Sequence, residues 1–152
     1  MRGAALTALI LCAAACDTRD AAPTIKVAAR VATTPARPVR GIVHTVHMLL
    51  DDEGFRFEPS YLAVAEGDGV RFQMVSGVPH NVTFDDHFIP DGARAQLAAN
   101  LLVLGARDLA APVVTTVDSA YVVSTSGLPR GEYLFYCAPH RSLNMHGVLT
   151  VR

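Results

Sequence analysis

From Ile42 onward, apolar residues alternate with polar ones in short runs, and each run ends in a turn signal. A period of two places successive side chains on opposite faces, which is the pattern of a half-buried strand and not of a helix. The first run, IVHTVHMLL, sets Ile42, His44, Val46, Met48 and Leu50 on one face. Asp51 to Gly54 then turns the chain, and Phe55, Phe57, Tyr61, Ala63 and Ala65 mark the next apolar positions, interrupted at Pro59-Ser60. EGDG at 66–69 is a second strong turn, followed by Val70, Phe72 and Met74. Val78–Phe84, Pro112–Val117, Tyr121–Ser124, Tyr133–Cys137 and Gly147–Val151 continue the pattern. Seven or eight short strands between Gly41 and Arg152 suit an all-β chain folded as a two-sheet Greek-key sandwich. Gly92 to Leu109 departs from it: Ala95, Leu97, Ala98, Leu101, Leu102, Leu104 and Ala106 favour helix. One or two helical turns around 92–109 are expected there as an insert on the sandwich, with Asp91 as cap and Gly105 as bend or end.

The residues before the sandwich divide in two. Arg2 and the apolar run Ala4 to Leu11 form an export signal over 1–16, too short for a membrane span. Its last residues, Ala13 to Cys16, resemble a bacterial lipoprotein cleavage box with Ala13 where Leu is usual, so either a lipidated Cys16 or plain cleavage near Ala14–Ala15 follows. Residues 17–40 contain Pro23, Pro35 and Pro38 and little alternation, which predicts a flexible Pro/Ala/Arg tether. From Arg19 to Arg40 five basic residues face one acid, whereas residues 41–152 hold 12 acids and 7 bases, a formal charge of −5. The near-neutral total of −1 therefore hides an acidic domain, 41–152, on a basic leash. An acidic head argues against nucleic acid as partner. Membrane attachment through a lipidated Cys16 is consistent with the leash.

With Cys12 and Cys16 assigned to the export signal, the folded domain holds one thiol, Cys137. A lone thiol in an oxidising compartment is a liability unless something occupies it. Two residues separate Cys137 from His140, and four separate His140 from Met145, all on one loop between strands. His80, between Pro79 and Asn81 at the mouth of a strand, is the candidate for a further donor, because a sandwich gathers its loops at one end. Soft thiolate and thioether with imidazole select copper. Zinc usually takes four strong donors, for which Met145 is poor and the neighbouring His146 is the substitute. A thiol nucleophile activated by His140 or His80 is a further reading, although it leaves Met145 without a role. His44, His47 and His87 read as ordinary surface or core histidines.

Three stretches, GVPHNVTFDD (77–86), GEYLFYCAPH (131–140) and NMHGVLTV (144–151), resemble the plastocyanin and azurin family, nearer its plastocyanin branch. FEPSYLAVAEGDGVRF resembles that family's early strand pair. The resemblance implies a cupredoxin-like Greek-key β-sandwich and a blue type 1 copper site with His80, Cys137 and His140 near-planar and Met145 axial. It implies that Asn81 ties the two ligand loops together, and that the protein shuttles single electrons and is not an enzyme. Redox protein partners are then expected to dock transiently on an apolar patch around His140 built from Pro79, Pro139 and Leu143, with Gly77 and Val78 nearby. Arg141 and the Asp85-Asp86 pair are candidates for steering, and Tyr136 for a second route through the sulfur. The other function class is an exported copper-binding protein for copper storage or delivery. The periplasm or the outer face of a bacterial membrane is the expected location. Departures from the family are the longer, more helical 90–112 stretch and His146 directly after Met145.

Overall fold

The structure is a computed structural model that describes residues 33–102, 104–107 and 109–152. The export-signal residues 1–16, and the tether up to residue 32, lie outside the described residues.

Among the described residues, eight strands form two four-stranded sheets. The first sheet has β1 (Val43–Asp51), β2 (Gly54–Glu58), β4 (Gly69–Met74) and β6 (Ala120–Ser124) in the order β2-β1-β4-β6. The second has β3 (Tyr61–Val64), β5 (Thr83–Phe84), β7 (Gly131–Tyr136) and β8 (His146–Val151) in the order β3-β8-β7-β5. β1 and β2 form a hairpin, while β1 with β4 and β3 with β8 run parallel, so the chain crosses between sheets as a Greek key does.

The alternation read from the sequence sets the inner faces. Val46 and Met48 are buried while His47 between them is exposed. Phe57, Phe72 and Met74 of the first sheet meet Tyr133, Phe135, Leu149 and Val151 of the second in one core. Phe135 is its centre, edge-on to Phe57 at 4.8 Å and to Phe72 at 5.4 Å between ring centroids. Edge-to-face contact suits aromatic quadrupoles, and a core filled this way gives both sheets one fixed spacing.

Register defines the two ends of the sandwich. Val43 pairs with Gly69 and Gly69 with Ser124 at one end, and Met48 pairs with Met74 towards the other. The metal-binding candidates all sit on loops beyond the second end.

Four features differ from the sequence expectation. Of Val78–Phe84 only Thr83–Phe84 is a strand, and His80 makes an isolated bridge to Val114. Pro112–Val117 is not a ladder strand: Val114 bridges His80, whereas Ala111 N–H bonds Val82 O at 2.8 Å. Three residues thus span the distance of two on the facing segment, a bulge at Pro112, which has no N–H to give. The insert helix α1 (Ala93–Leu102) runs ten residues, close to three turns. Its helix-favouring Ala and Leu residues extend to Leu102, and Gly105, left-handed at φ 77°, ends it as expected. At its start the Ala93 N–H is taken by Pro90 O at 3.0 Å, so the turn through left-handed Gly92 begins the helix. Finally, 35–41 is hydrogen-bonded along the domain, so the last part of the expected tether belongs to the head.

Candidate metal centre

Cys137 follows β7 in extended conformation (φ −86°, ψ 116°) and precedes a 3-10 helix at Ala138–Leu143 with Pro139 in its first turn. The tight turn brings the His140 N–H to the Cys137 carbonyl at 3.1 Å, so the two side chains project to the same side. Asn144, left-handed at φ 66°, reverses the chain into β8, a conformation Asn tolerates better than most residues. The backbone of Met145 is thereby returned to that of Cys137: the Cys137 N–H donates to Met145 O at 3.0 Å. His80 arrives from the other loop, held by its two-way backbone bridge to Val114.

The structure gathers His80, Cys137 and His140, whose ligand atoms all lie within 4.8 Å of one another. Sγ of Cys137 stands 3.6 Å from Nδ1 of His80 and 3.4 Å from Nδ1 of His140. His80, Cys137 and Met145 are fully buried, and His140 keeps 7% of its surface in solvent. Nε2 of His80 donates to the Ser76 carbonyl at 2.8 Å, which fixes the tautomer and leaves the Nδ1 lone pair facing the sulfur. Asn81 is buried and joins both loops. Its Oδ1 accepts the Ala138 N–H at 2.8 Å, and its Nδ2 donates to Thr83 Oγ1 at 3.3 Å and Ala111 O at 3.4 Å.

Electrostatics fit a bound cation. Burial pushes the Cys137 thiol up, and the backbone N–H groups of Asn81 and His140 pull only partly the other way. Burial also holds His80 and His140 below the ordinary imidazole range, for His80 with help from the His140 charge and against its bond to Ser76. Both rings are thus neutral bases. One thiol proton can serve only one of the two Nδ1 atoms facing it, so the other lone pair has no proton to meet. A soft cation held by His80, Cys137 and His140 would satisfy both rings and the thiolate at once, and would supply the charge that makes a buried thiolate stable.

Two contributors carry no readable sequence signal. Phe55 reads only as an apolar strand position, yet its ring stacks on His140 at 3.7 Å and 15° and lies edge-on to His80 at 6.0 Å. Ser76 contributes through its carbonyl, a role open to any residue type. The remaining candidates lie outside the cluster. His47, His87 and His146 are exposed, and His44 bonds Asp68 at 2.9 Å at the opposite end. Tyr136 faces outward beneath the Arg141 guanidinium, 4.1 Å from its ring centroid. Arg141 also pairs with Asp85 at 3.2 Å, and Arg94 pairs with Asp86 at 3.0 Å, so both acids of that pair are matched within the chain.

A thiol and two neutral imidazoles, buried together at the loop end of a two-sheet sandwich, form a donor set suited to a soft metal ion. The sequence matches the model of copper binding proteins of the plastocyanin/azurin family over residues 44–152, and the chain belongs to that family. It is 37% identical over 100 residues to plastocyanin from Lactuca sativa, covering 66% of this chain and 91% of that one. It is 35% identical over 127 residues to the chloroplastic minor plastocyanin isoform of Arabidopsis thaliana, covering 80% and 67%. The solved oxidized plastocyanin of Dryopteris crassirhizoma superposes with a TM-score of 0.55 at 33% identity, covering 72% of this chain and all of that one.

Proposed function

We propose that the protein is a blue copper electron carrier that works outside the cytoplasm, with His80, Cys137, His140 and Met145 holding one type 1 copper ion. The observation that carries the reading is the convergence of one thiol sulfur and two imidazole Nδ1 atoms, all buried, with ring tautomer and loop positions fixed by outer hydrogen bonds. Bound copper supplies a one-electron couple, Cu(II)/Cu(I). The chain supplies the rest. Its bonds from Ser76, Asn81 and Met145 hold the donors in one geometry, so little has to move when the charge changes. Burial excludes water from Cys137 and protects the thiol from oxidation.

His140 is the route outward, being the ligand that reaches solvent. Around it the surface is apolar: Leu143 is 56% exposed, Val78 50% and Leu50 41%, with Pro79 and Pro139 also exposed. A rim of this type suits a redox protein that docks briefly and leaves. The periplasm, or a lipid anchor at Cys16 on the outer face of a bacterial membrane, is the proposed location, supported by the signal-type residues 1–16.

Anaerobic titration of the copper-loaded protein with a one-electron reductant tests the function. Complete reduction at one electron per copper, fully reversed by a protein or inorganic oxidant without copper loss, is expected. Release of copper on reduction would point instead to a delivery protein.

A further inference from the structure

Helix α1 carries two polar residues, Gln96 and Asn100, on its buried side. Buried amides in an otherwise Ala/Leu helix are costly unless every group is bonded. Asn100, 1% exposed, is fully bonded. Its Oδ1 accepts from the Arg37 N–H at 2.9 Å and from Gln96 Nε2 at 2.8 Å. Its Nδ2 donates to Ser124 O at 2.9 Å and Ser126 O at 3.0 Å. Gln96 Nε2 also donates to Pro35 O at 3.0 Å, and the buried Ser126 hydroxyl donates to Pro38 O at 2.6 Å. The Arg40 and Gly41 N–H groups then share Gly67 O at 2.8 and 2.9 Å. The Arg37 side chain lies across Gly127, where a Cβ would stand 2.7 Å from its Cδ.

Five bonds thus grip the backbone of 35–41, although the side chains of 35–38 are exposed and bring little apolar area. Every partner belongs to α1, the β3–β4 turn, or the end of β6 and the turn after it. These lie at the Gly69–Ser124 end of the sheet register, away from the loops that carry His80 and Cys137. The family match begins at residue 44, so the strap lies outside it.

We infer that α1 is a latch for the N-terminal strap: Gln96, Asn100 and Ser126 clamp 35–41 and fix where the chain enters the head, at the end opposite the metal centre. The length of β1, nine residues at about 3.3 Å each, separates that entry from the metal end by roughly 30 Å. The latch keeps the strap off the apolar rim around His140 and gives the head one orientation relative to residue 35. The inference holds whichever metal the site takes.

Amide hydrogen exchange on the full chain tests it. In the native protein the Arg37, Arg40 and Gly41 amides should exchange at least about tenfold more slowly than in an unstructured peptide. Asn100→Ala should return Arg37 to the peptide rate, while ladder amides of β7 and β8 such as Leu149 stay unchanged. Ser126→Ala, which removes only the hydroxyl bond to Pro38, should loosen Arg37 and Arg40 to a smaller degree and serves if Asn100→Ala fails to fold. Peptide-like exchange at Arg37 in the native protein overturns the latch. So does Arg37 protection that survives both substitutions.

Discussion

Asn81→Ala is the sharpest test of how the site is built, because one amide ties the loop of His80 to the loop of Cys137. The substitution removes the acceptor of the Ala138 N–H (2.8 Å) and the donor to the buried Ala111 carbonyl (3.4 Å). A buried polar group left without a partner costs about 1–3 kcal/mol. The Ala138 bond is part-buried and water can replace some of it, and the Ala111 bond is long, so the sum is about 2 kcal/mol rather than the upper bound. For a domain of this size that is a fall of roughly 8 °C in the melting temperature of the metal-free protein. Asn81→Asp separates the two bonds. It keeps an acceptor for Ala138 but loses both donors, and it sets a negative charge beside the sulfur that raises the Cys137 thiol further. Melting by circular dichroism and copper affinity by competition read both quantities. A melting temperature for Asn81→Ala within about 1 °C of the parent, with unchanged copper affinity, would refute the view that this amide joins the loops.

Phe55→Ala strips the stacked ring from His140, at a cost of about 0.5–1.5 kcal/mol beyond lost apolar burial. Burial holds His140 below the ordinary range, so uncovering it moves its pKa up, and protons should displace copper at higher pH in the variant, read as loss of the visible band on acidification. In the metal-free parent, His80 and His140 are depressed in the folded state, so stability is full above about 6.5 and falls as pH drops through the imidazole range. A urea midpoint flat between pH 5 and 8 would contradict this. Asp68 is depressed chiefly by its bond to His44, so a further loss is expected below 3.8, and His44→Gln should shrink that step. Gly147→Ala would place a Cβ 2.7 Å from Ser60 O and 2.5 Å from the Phe135 ring, and should cost about 1–3 kcal/mol in a denaturant melt.

The strands were legible where one face is buried, because alternation then has to follow the pleat: Val46 and Met48 in, His47 out. Legibility failed at Pro112–Val117, where alternation continues but a bulge at Pro112 leaves only the Val114 bridge. The donor loop was readable from residue type and spacing, since thiol, imidazole and thioether on one turn have few other uses. His80 required the further rule that sandwich loops converge. Phe55 was read as a core position, and only the β1–β2 hairpin's placement against the 3-10 turn reveals the stack on His140. Proline and arginine made 35–40 read as tether, because the strap is held through its own backbone groups, which composition does not encode. Asn100 and Gln96 gave the one available hint, as polar residues in an Ala/Leu helix.

The central claim is that Cys137 is a thiolate ligand of copper held together with His80 and His140. The optical spectrum of the protein titrated with Cu(II) tests it most directly. The account predicts an intense sulfur-to-copper charge-transfer band near ~600 nm that saturates at one equivalent, bleaches on reduction and returns on oxidation. The same titration of Cys137→Ser should give only weak absorption. Absence of the band in the parent protein, or its persistence in Cys137→Ser, would contradict the claim.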